Sequence, residues 1–321
     1  MAIKYFLFIL SLLVLSCTEK KAAEKTEAPV LPNEGAEFLP TDADYLPTPK
    51  GTTVSVPSGY KLVWHDEFDE EGTPSAVWSY EEGFVRNEEL QWYQADNATV
   101  SNGCLVIEAR RETVTNPYFD AGSNDWRKNR KEARYTSSCL TTQQSFHFRY
   151  GKLEVRAKIP TQTGAWPAIW TLGNQWEWPL NGEIDIMEYY IKNGRPSILA
   201  NACWGSSQAW VAIWDESVVS FSQFTGQDSE WADKFHIWRM DWDTEWIRLY
   251  LDDVLMNEIE LSLTFNQGWQ ENRMNPFSNT VEGFGHYILL NLALGGNGGT
   301  PDENALPFHY LIDYVRVFQV E

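Results

Sequence analysis

The stretch Asn181-Gly-Glu-Ile-Asp-Ile-Met-Glu-Tyr-Tyr190 places Glu183, Asp185 and Glu188 within six residues, alternating with apolar side chains. Carboxylates crowded on one strand face repel, so the arrangement costs stability without a use. By the two-residue period of a strand, Glu183 and Asp185 share a face and Glu188 has the wrong parity. A one-residue β-bulge near Met187 repairs that, and bulges are over-represented beside active sites. Glu183 and Glu188 then stand roughly 13 Å apart at Cα, at ~3.3 Å per strand residue. With each carboxyl leaning inward by roughly 3–4 Å, the remaining gap is ~5–6 Å, near the ~5–5.5 Å of a retaining glycosidase and short of the ~6.5–9.5 Å of an inverting one. Asp185, between the two and next to Glu183, is placed to share a hydrogen bond with it and tune the titration of the pair. A calcium site or a solvated acidic strand is the competing reading, but isoleucines on the opposite face argue for a fixed, half-buried strand.

Such a strand needs a sheet around it. Short runs rich in Val, Ile, Tyr, Phe and Trp recur from Tyr60 onward between Gly, Asn, Asp and Pro breaks, among them Leu62-Val-Trp-His65, Cys104-Leu-Val-Ile-Glu-Ala109, Ile247-Arg-Leu-Tyr-Leu251 and Tyr314-Val-Arg-Val-Phe318. In Lys152 to Ile159, the apolar Leu153, Val155, Ala157 and Ile159 alternate with Lys152, Glu154, Arg156 and Lys158, the pattern of an antiparallel strand with one wet face. Helical periodicity is scarce, so the expected fold class is all-β, a two-sheet sandwich.

A formal net charge of −20 over 321 residues argues against nucleic acid and anionic membrane surfaces as partners, since both require clustered Lys and Arg. A neutral glycan fits better. The 16 tryptophans exceed what one core usually needs, so part of them is expected on a binding surface, where a pyranose C–H face stacks on a ring.

The chain opens with Met1-Ala-Ile-Lys4 and the apolar run Tyr5 to Leu15, too short for a membrane span and readable as an export signal. Val14-Leu15-Ser16-Cys17 resembles a bacterial lipobox, which makes Cys17 the expected lipidated residue. The expected organisation is a signal peptide at 1–16, the lipidated cysteine and a flexible Pro/Ala/Glu-rich tether at 17–59, and one domain at 60–321. An exported bacterial lipoprotein follows, held at the membrane only through its anchor, at the cell surface or the periplasmic face, and acting as a monomer. Cys104, Cys139 and Cys203 remain; a Cys104–Cys139 bridge and buried free thiols are both open.

Gly164-Ala-Trp-Pro-Ala-Ile-Trp-Thr-Leu172, Trp178-Pro179 and Gly182-Glu-Ile-Asp-Ile-Met-Glu188, in that order, resemble glycoside hydrolase family 16 in its bulged-strand branch of laminarinases and endo-β-galactosidases. The resemblance extends over Tyr60 to the C-terminus, through Trp64-His-Asp-Glu-Phe-Asp69, Asn87-Glu-Glu-Leu-Gln-Trp-Tyr93, Leu290-Asn-Leu-Ala293 and Asp313-Tyr-Val-Arg-Val317. It implies a concanavalin A-like jelly roll with a concave substrate cleft, Glu183 as nucleophile, Glu188 as general acid/base and Asp185 as helper. It also implies that Trp166, Trp170 and Trp178 lie near the cleaved bond and that Asn87, Glu89 and Trp92 bind sugar on the non-reducing side. No cofactor is required, although a structural calcium at Glu67 and Asp313 is conceivable by the same resemblance.

The chain departs from the laminarinase pattern where Leu199-Ala-Asn-Ala-Cys-Trp204 replaces a His-Gly-Thr-x-His type stretch, which puts Trp204 in the expected place of a cleft histidine. The loop Gly295-Gly-Asn-Gly-Gly-Thr-Pro301 differs as well. The expectation is a retaining endo-β-glycoside hydrolase acting on a laminarin-like β-1,3/1,4-glucan or on a β-galactoside chain of mucin or keratan type. The alternative is a non-catalytic glycan-binding lipoprotein on the same fold, whose signature would be loss of an acid.

Overall fold

The computed structural model describes residues 42–321; the expected signal at 1–16, Cys17 and the first part of the expected tether lie outside the described residues. Two antiparallel sheets form a jelly-roll sandwich. The first runs, in spatial order, Val254–Glu260, Trp246–Leu251, His236–Trp242, Gly151–Lys158, Phe308–Val320, Cys104–Ala109 and Ala98–Ser101, with Tyr60–Asp66 also paired to the long Phe308–Val320 strand. The second runs Ala212–Ser220, Arg195–Gly205, Glu183–Lys192, Ala165–Gly173, His286–Leu294, Cys139–Thr141 and Ser79–Tyr80. Strands distant in sequence lie side by side, as where Ala165–Gly173 pairs with His286–Leu294.

Alternation explains how the layers close. Leu153, Val155 and Ala157 are buried while Lys152, Glu154 and Arg156 are half-buried. The second sheet contributes Ile169, Ile184, Ala200, Ala202, Ile288, Leu290 and Leu292 to the same core. Each large aliphatic side chain buried there stabilises the sandwich by about 1.5–3 kcal/mol. The core thus consumes one face of the second sheet and leaves its other face free for a cleft.

Two expectations need correction. The tether was expected to run free to residue 59, but the chain is already bound to the first sheet from Asp44 onward. Phe235 N donates to Asp44 O at 2.7 Å, Arg156 Nη1 donates to Leu46 O at 3.1 Å, and Thr48 donates to Asp313 from both its backbone N (2.8 Å) and its hydroxyl (2.7 Å). The second correction follows from these contacts. Asp313 is buried and holds Arg156 Nη1 at 2.6 Å, and both oxygens of Glu67 receive the Arg316 guanidinium at 3.0 and 2.7 Å. Arginine and threonine occupy the oxygens a calcium ion would need, so Glu67 and Asp313 do not fit a cation site. Among the described residues no three His, Cys, Asp or Glu side chains converge as metal ligands.

The three described cysteines are buried free thiols. Burial pushes the Cys104 thiol up to about 12, which makes it unreactive. Asn97, which heads a glycosylation-like Asn-Ala-Thr, is itself buried and donates to Glu108 O and Thr136 Oγ1.

Candidate active site

Asp185 pairs with Asn201 and Glu188 with Leu199, so two residues, Ile186 and Met187, stand opposite the single Ala200. On the other side Trp170 faces Asp185 and Ile169 faces Met187, which leaves Ile186 as the extra residue. The bulge expected near Met187 is therefore present. Ile186 and Met187 both enter the core, so the strand changes parity between them. Glu183, Asp185 and Glu188 consequently face one groove together with Trp166, Trp170, Asn87, Glu89 and Asn291. Gly182, in the left-handed region at φ 76°, turns the chain into the strand where a Cβ would lie 2.8 Å from Pro276.

Each outer carboxylate has its own indole donor. Trp178 Nε1 donates to Glu183 Oε2 at 2.7 Å, and Trp166 Nε1 donates to Glu188 Oε1 at 3.0 Å. Asn201 Nδ2 donates to the other Glu188 oxygen at 3.2 Å, and Asn201 Oδ1 is fixed in turn by Ser217 N at 3.3 Å. Trp170 Nε1 donates to Asn291 Oδ1 at 2.7 Å, and its ring carries the Arg86 guanidinium 5.0 Å from the centroid. Trp166 and Trp170 are both more than nine-tenths buried yet line the groove.

The electrostatics separate the three acids. Burial, reinforced by the charges of Glu183 and Glu188, pushes Asp185 well above the ordinary carboxylate range. This favours the protonated form of Asp185 beside Glu183. Burial also raises Glu183, opposed by the hydrogen bonds from Trp178 and Asp185, which favour its charged form. Glu188 is pushed up to about 7, first by burial, with the Glu183 charge adding and the Trp166 and Asn201 donors opposing. Loss of solvation is thus a larger cause of the rise in Glu188 than the neighbouring negative charge.

Two expected sugar contacts lie elsewhere. Trp204 is 5 % exposed and packed in the core between the sheets, because it is an odd number of residues from Asn201 on the same strand and so faces away from the groove. Asn201 takes the place expected of Trp204. Trp92 is 4 % exposed and packs with Phe84, Ala133 and Trp126 in a satellite cluster. On the strand Gln91–Tyr93 the neighbouring parity faces the site instead: Gln91 Nε2 donates to Glu89 Oε2 at 2.6 Å, and Tyr93 Oη donates to the same oxygen at 3.3 Å. Asn87 Nδ2 donates to the remaining oxygen of Glu89 at 3.2 Å.

Several groove residues were not singled out beforehand. Arg86, paired with Glu81, stands beside the quoted Asn87 and was signalled only by that adjacency. Tyr190, Asn201, Trp210, Trp214, Glu216 and Asn297 complete a groove of about 850 Å³ that crosses the sheet. For Asn201, Trp214 and Glu216 the alternation along Arg195–Gly205 and Ala212–Ser220 was the available signal, but it has no meaning until the register is known.

An antiparallel sandwich whose open sheet carries paired carboxylates among tryptophans defines a glycan-cleaving enzyme, with catalysis by acid side chains. The chain belongs to the glycosyl hydrolases family 16, whose model matches residues 86–283. It is 32% identical to a β-glucanase of Rhodothermus marinus over 81% of this chain and 85% of that protein. It is 27% identical to a keratan-sulfate endo-1,4-β-galactosidase of Sphingobacterium multivorum over 97% of this chain and 65% of that one. Among solved structures, one from work on endo-acting O-glycanases of the human gut microbiota that initiate mucin breakdown superposes with a TM-score of 0.72. That match has 34% identity and covers 83% of this chain and 93% of the other. The protein is an endo-acting β-glycoside hydrolase with a glycan as substrate.

Proposed function

We propose that the enzyme cleaves internal β-linkages of a galactose-containing glycan of mucin or keratan type by double displacement with retention. The observation that carries the mechanism is the bulge, which turns Glu183 and Glu188 toward one groove on either side of Asp185. Glu188 gives its proton to the glycosidic oxygen as the bond to the anomeric carbon breaks, while a Glu183 carboxylate oxygen bonds to that carbon. The ionised Glu188 then takes a proton from water, whose oxygen attacks the anomeric carbon and releases Glu183. Asp185 returns its shared proton toward Glu183 as that carboxylate leaves, which favours departure. Retention of all three acids disfavours the purely glycan-binding alternative.

Galactoside specificity is supported by the likeness to the O-glycanase and keratan-sulfate enzymes and by Leu199-Ala-Asn-Ala-Cys-Trp204 standing in place of the laminarinase-type histidine stretch. A β-1,3/1,4-glucan is the second reading, favoured by the β-glucanase relative. Incubation with mucin O-glycans, keratan, laminarin and mixed-linkage glucan, with products sized and their fresh anomeric configuration read by proton NMR, tests both. Inverted products would sink the double displacement, and shortened glucans alone would leave only the second reading.

We also infer that Cys17 is lipidated in an exported, membrane-anchored bacterial lipoprotein. The support is the basic start, the short apolar run and the lipobox-like Val14-Leu15-Ser16-Cys17. Detergent-independent release of a Cys17→Ser variant from cells that retain the unaltered protein would be the expected outcome; equal retention of both would refute the anchor.

A further inference from the structure

The groove does not stop at the carboxylates. Across the sheet Glu183 pairs with Cys203 and Cys203 with Trp214, so Trp214 stands two strands beyond the acidic strand on the same face, roughly 10 Å away at ~4.8 Å per strand. Trp214 is 37 % exposed and Trp210 is 58 % exposed, both lining the groove that contains Glu183 and Glu188. Large rings left half in water at the end of a carbohydrate groove are a cost unless something covers them. We propose that Trp210 and Trp214 form a distal sugar-stacking subsite that holds pyranose units of the same glycan chain away from the cleaved bond. The assignment rests on the hydrolase reading above, and it adds that the enzyme selects long chains.

The platform is built. Trp269 buttresses Trp210 with ring centroids 4.9 Å apart at 57°. Trp210 itself is held at φ 61°, a left-handed conformation that a bulky residue adopts only when its surroundings impose it. Asn266 ties three loops together: its Oδ1 accepts from Gly205 N at 2.7 Å, and its Nδ2 donates to Leu180 O at 2.8 Å and Asn272 Oδ1 at 3.1 Å. The loop bearing Trp210 is thereby fixed to the one bearing Trp178, the donor to Glu183. Beside the rings, Glu216 lines the groove and pairs with Lys192 at 2.7 Å, which supplies polar partners for sugar hydroxyls.

The test is chain-length dependence. Hydrolysis of short and long oligosaccharides prepared from keratan, mucin and laminarin is compared between the unaltered enzyme and Trp210→Ala, Trp214→Ala and Trp210→Phe. The ratio of kcat/KM on long over short chains should fall about five- to tenfold in the alanine variants, the size of a single ring contact, and be kept by Trp210→Phe. An equal loss at every length, or no loss, overturns the subsite. Should the unaltered enzyme cleave none of these chains, the hydrolase reading fails separately. The subsite is then judged by the affinity of Glu183→Gln for the same oligosaccharides with and without Trp210→Ala, where an unchanged long-chain affinity refutes it.

Discussion

Asn201 donates its side-chain amide to Glu188 across 3.2 Å, from the strand next to the one that carries the acid. The bond favours ionised Glu188 and therefore opposes the burial that raises its pKa. Because Glu188 must be protonated to act first as an acid, kcat/KM should fall as pH rises through about 7. In Asn201→Ala the loss of that donor moves this alkaline limb to higher pH and lowers kcat. A pH–rate profile checks it; a limb that stays put or moves down would detach Asn201 from the titration of Glu188.

Glu183→Gln should lower kcat by about a thousandfold or more, since the ester to the anomeric carbon can no longer form. Oligosaccharide affinity measured by calorimetry should persist, because Trp166, Trp170 and Asn87 still line the groove. Residual turnover within tenfold of the unaltered enzyme would contradict the nucleophile assignment.

Glu188 has a folded pKa of about 7 against an ordinary 4.5, so the native state binds more protons than the unfolded one between these values. Its stabilising effect is complete below 4.5 and is lost as pH rises through 7, which places a charged acid in a desolvated site at pH 8. Glu188→Gln removes that penalty and should stabilise the protein at pH 8 by up to about 3 kcal/mol, with little gain at pH 4. Urea unfolding at the two pH values reads the difference, and a gain that is larger at pH 4 has the wrong sign.

Trp204→Ala should destabilise by about 3–5 kcal/mol while leaving KM near its original value at permissive temperature, because the ring packs between the sheets and not against substrate. Trp166→Ala should do the reverse, raising KM and lowering kcat with a smaller change in Tm, since its indole serves Glu188. Thermal melts beside steady-state kinetics separate the two, and a KM effect at Trp204 would return that residue to the cleft.

At the first sheet, Asp313→Ala removes the buried ion pair with Arg156 and both hydrogen bonds from Thr48 and should cost about 3–5 kcal/mol. A calcium chelator should leave Tm unchanged, as the Arg156 guanidinium and not a metal ion satisfies Asp313. A chelator-induced fall in Tm restored by calcium would refute that arrangement.

The all-β architecture was legible because alternation such as that of Leu153, Val155 and Ala157 is a one-dimensional signal of a half-buried strand. The three acids were legible for a related reason: their crowding is unfavourable without a purpose, and a single bulge reconciles their parity. Glu188 could be placed in this way because the rule concerns neighbours on one strand. Trp204 and Trp92 could not, since a likeness of sequence position carries no information about which face a ring takes.

What the chain alone determined is thus local: the strand period, the acidic cluster, and the overall charge that argues against nucleic acid and anionic membrane surfaces. Only the tertiary structure decided which strands are neighbours, and with them the pairing of Asn201 with Glu188 and the row from Glu183 through Cys203 to Trp214. It also decided that Asp313 meets Arg156 and Thr48 rather than a metal. The physical reason is that register between strands distant in sequence is set by the burial of whole faces at once. A one-residue slip exchanges core for cleft along an entire strand, and no single residue records which choice was made.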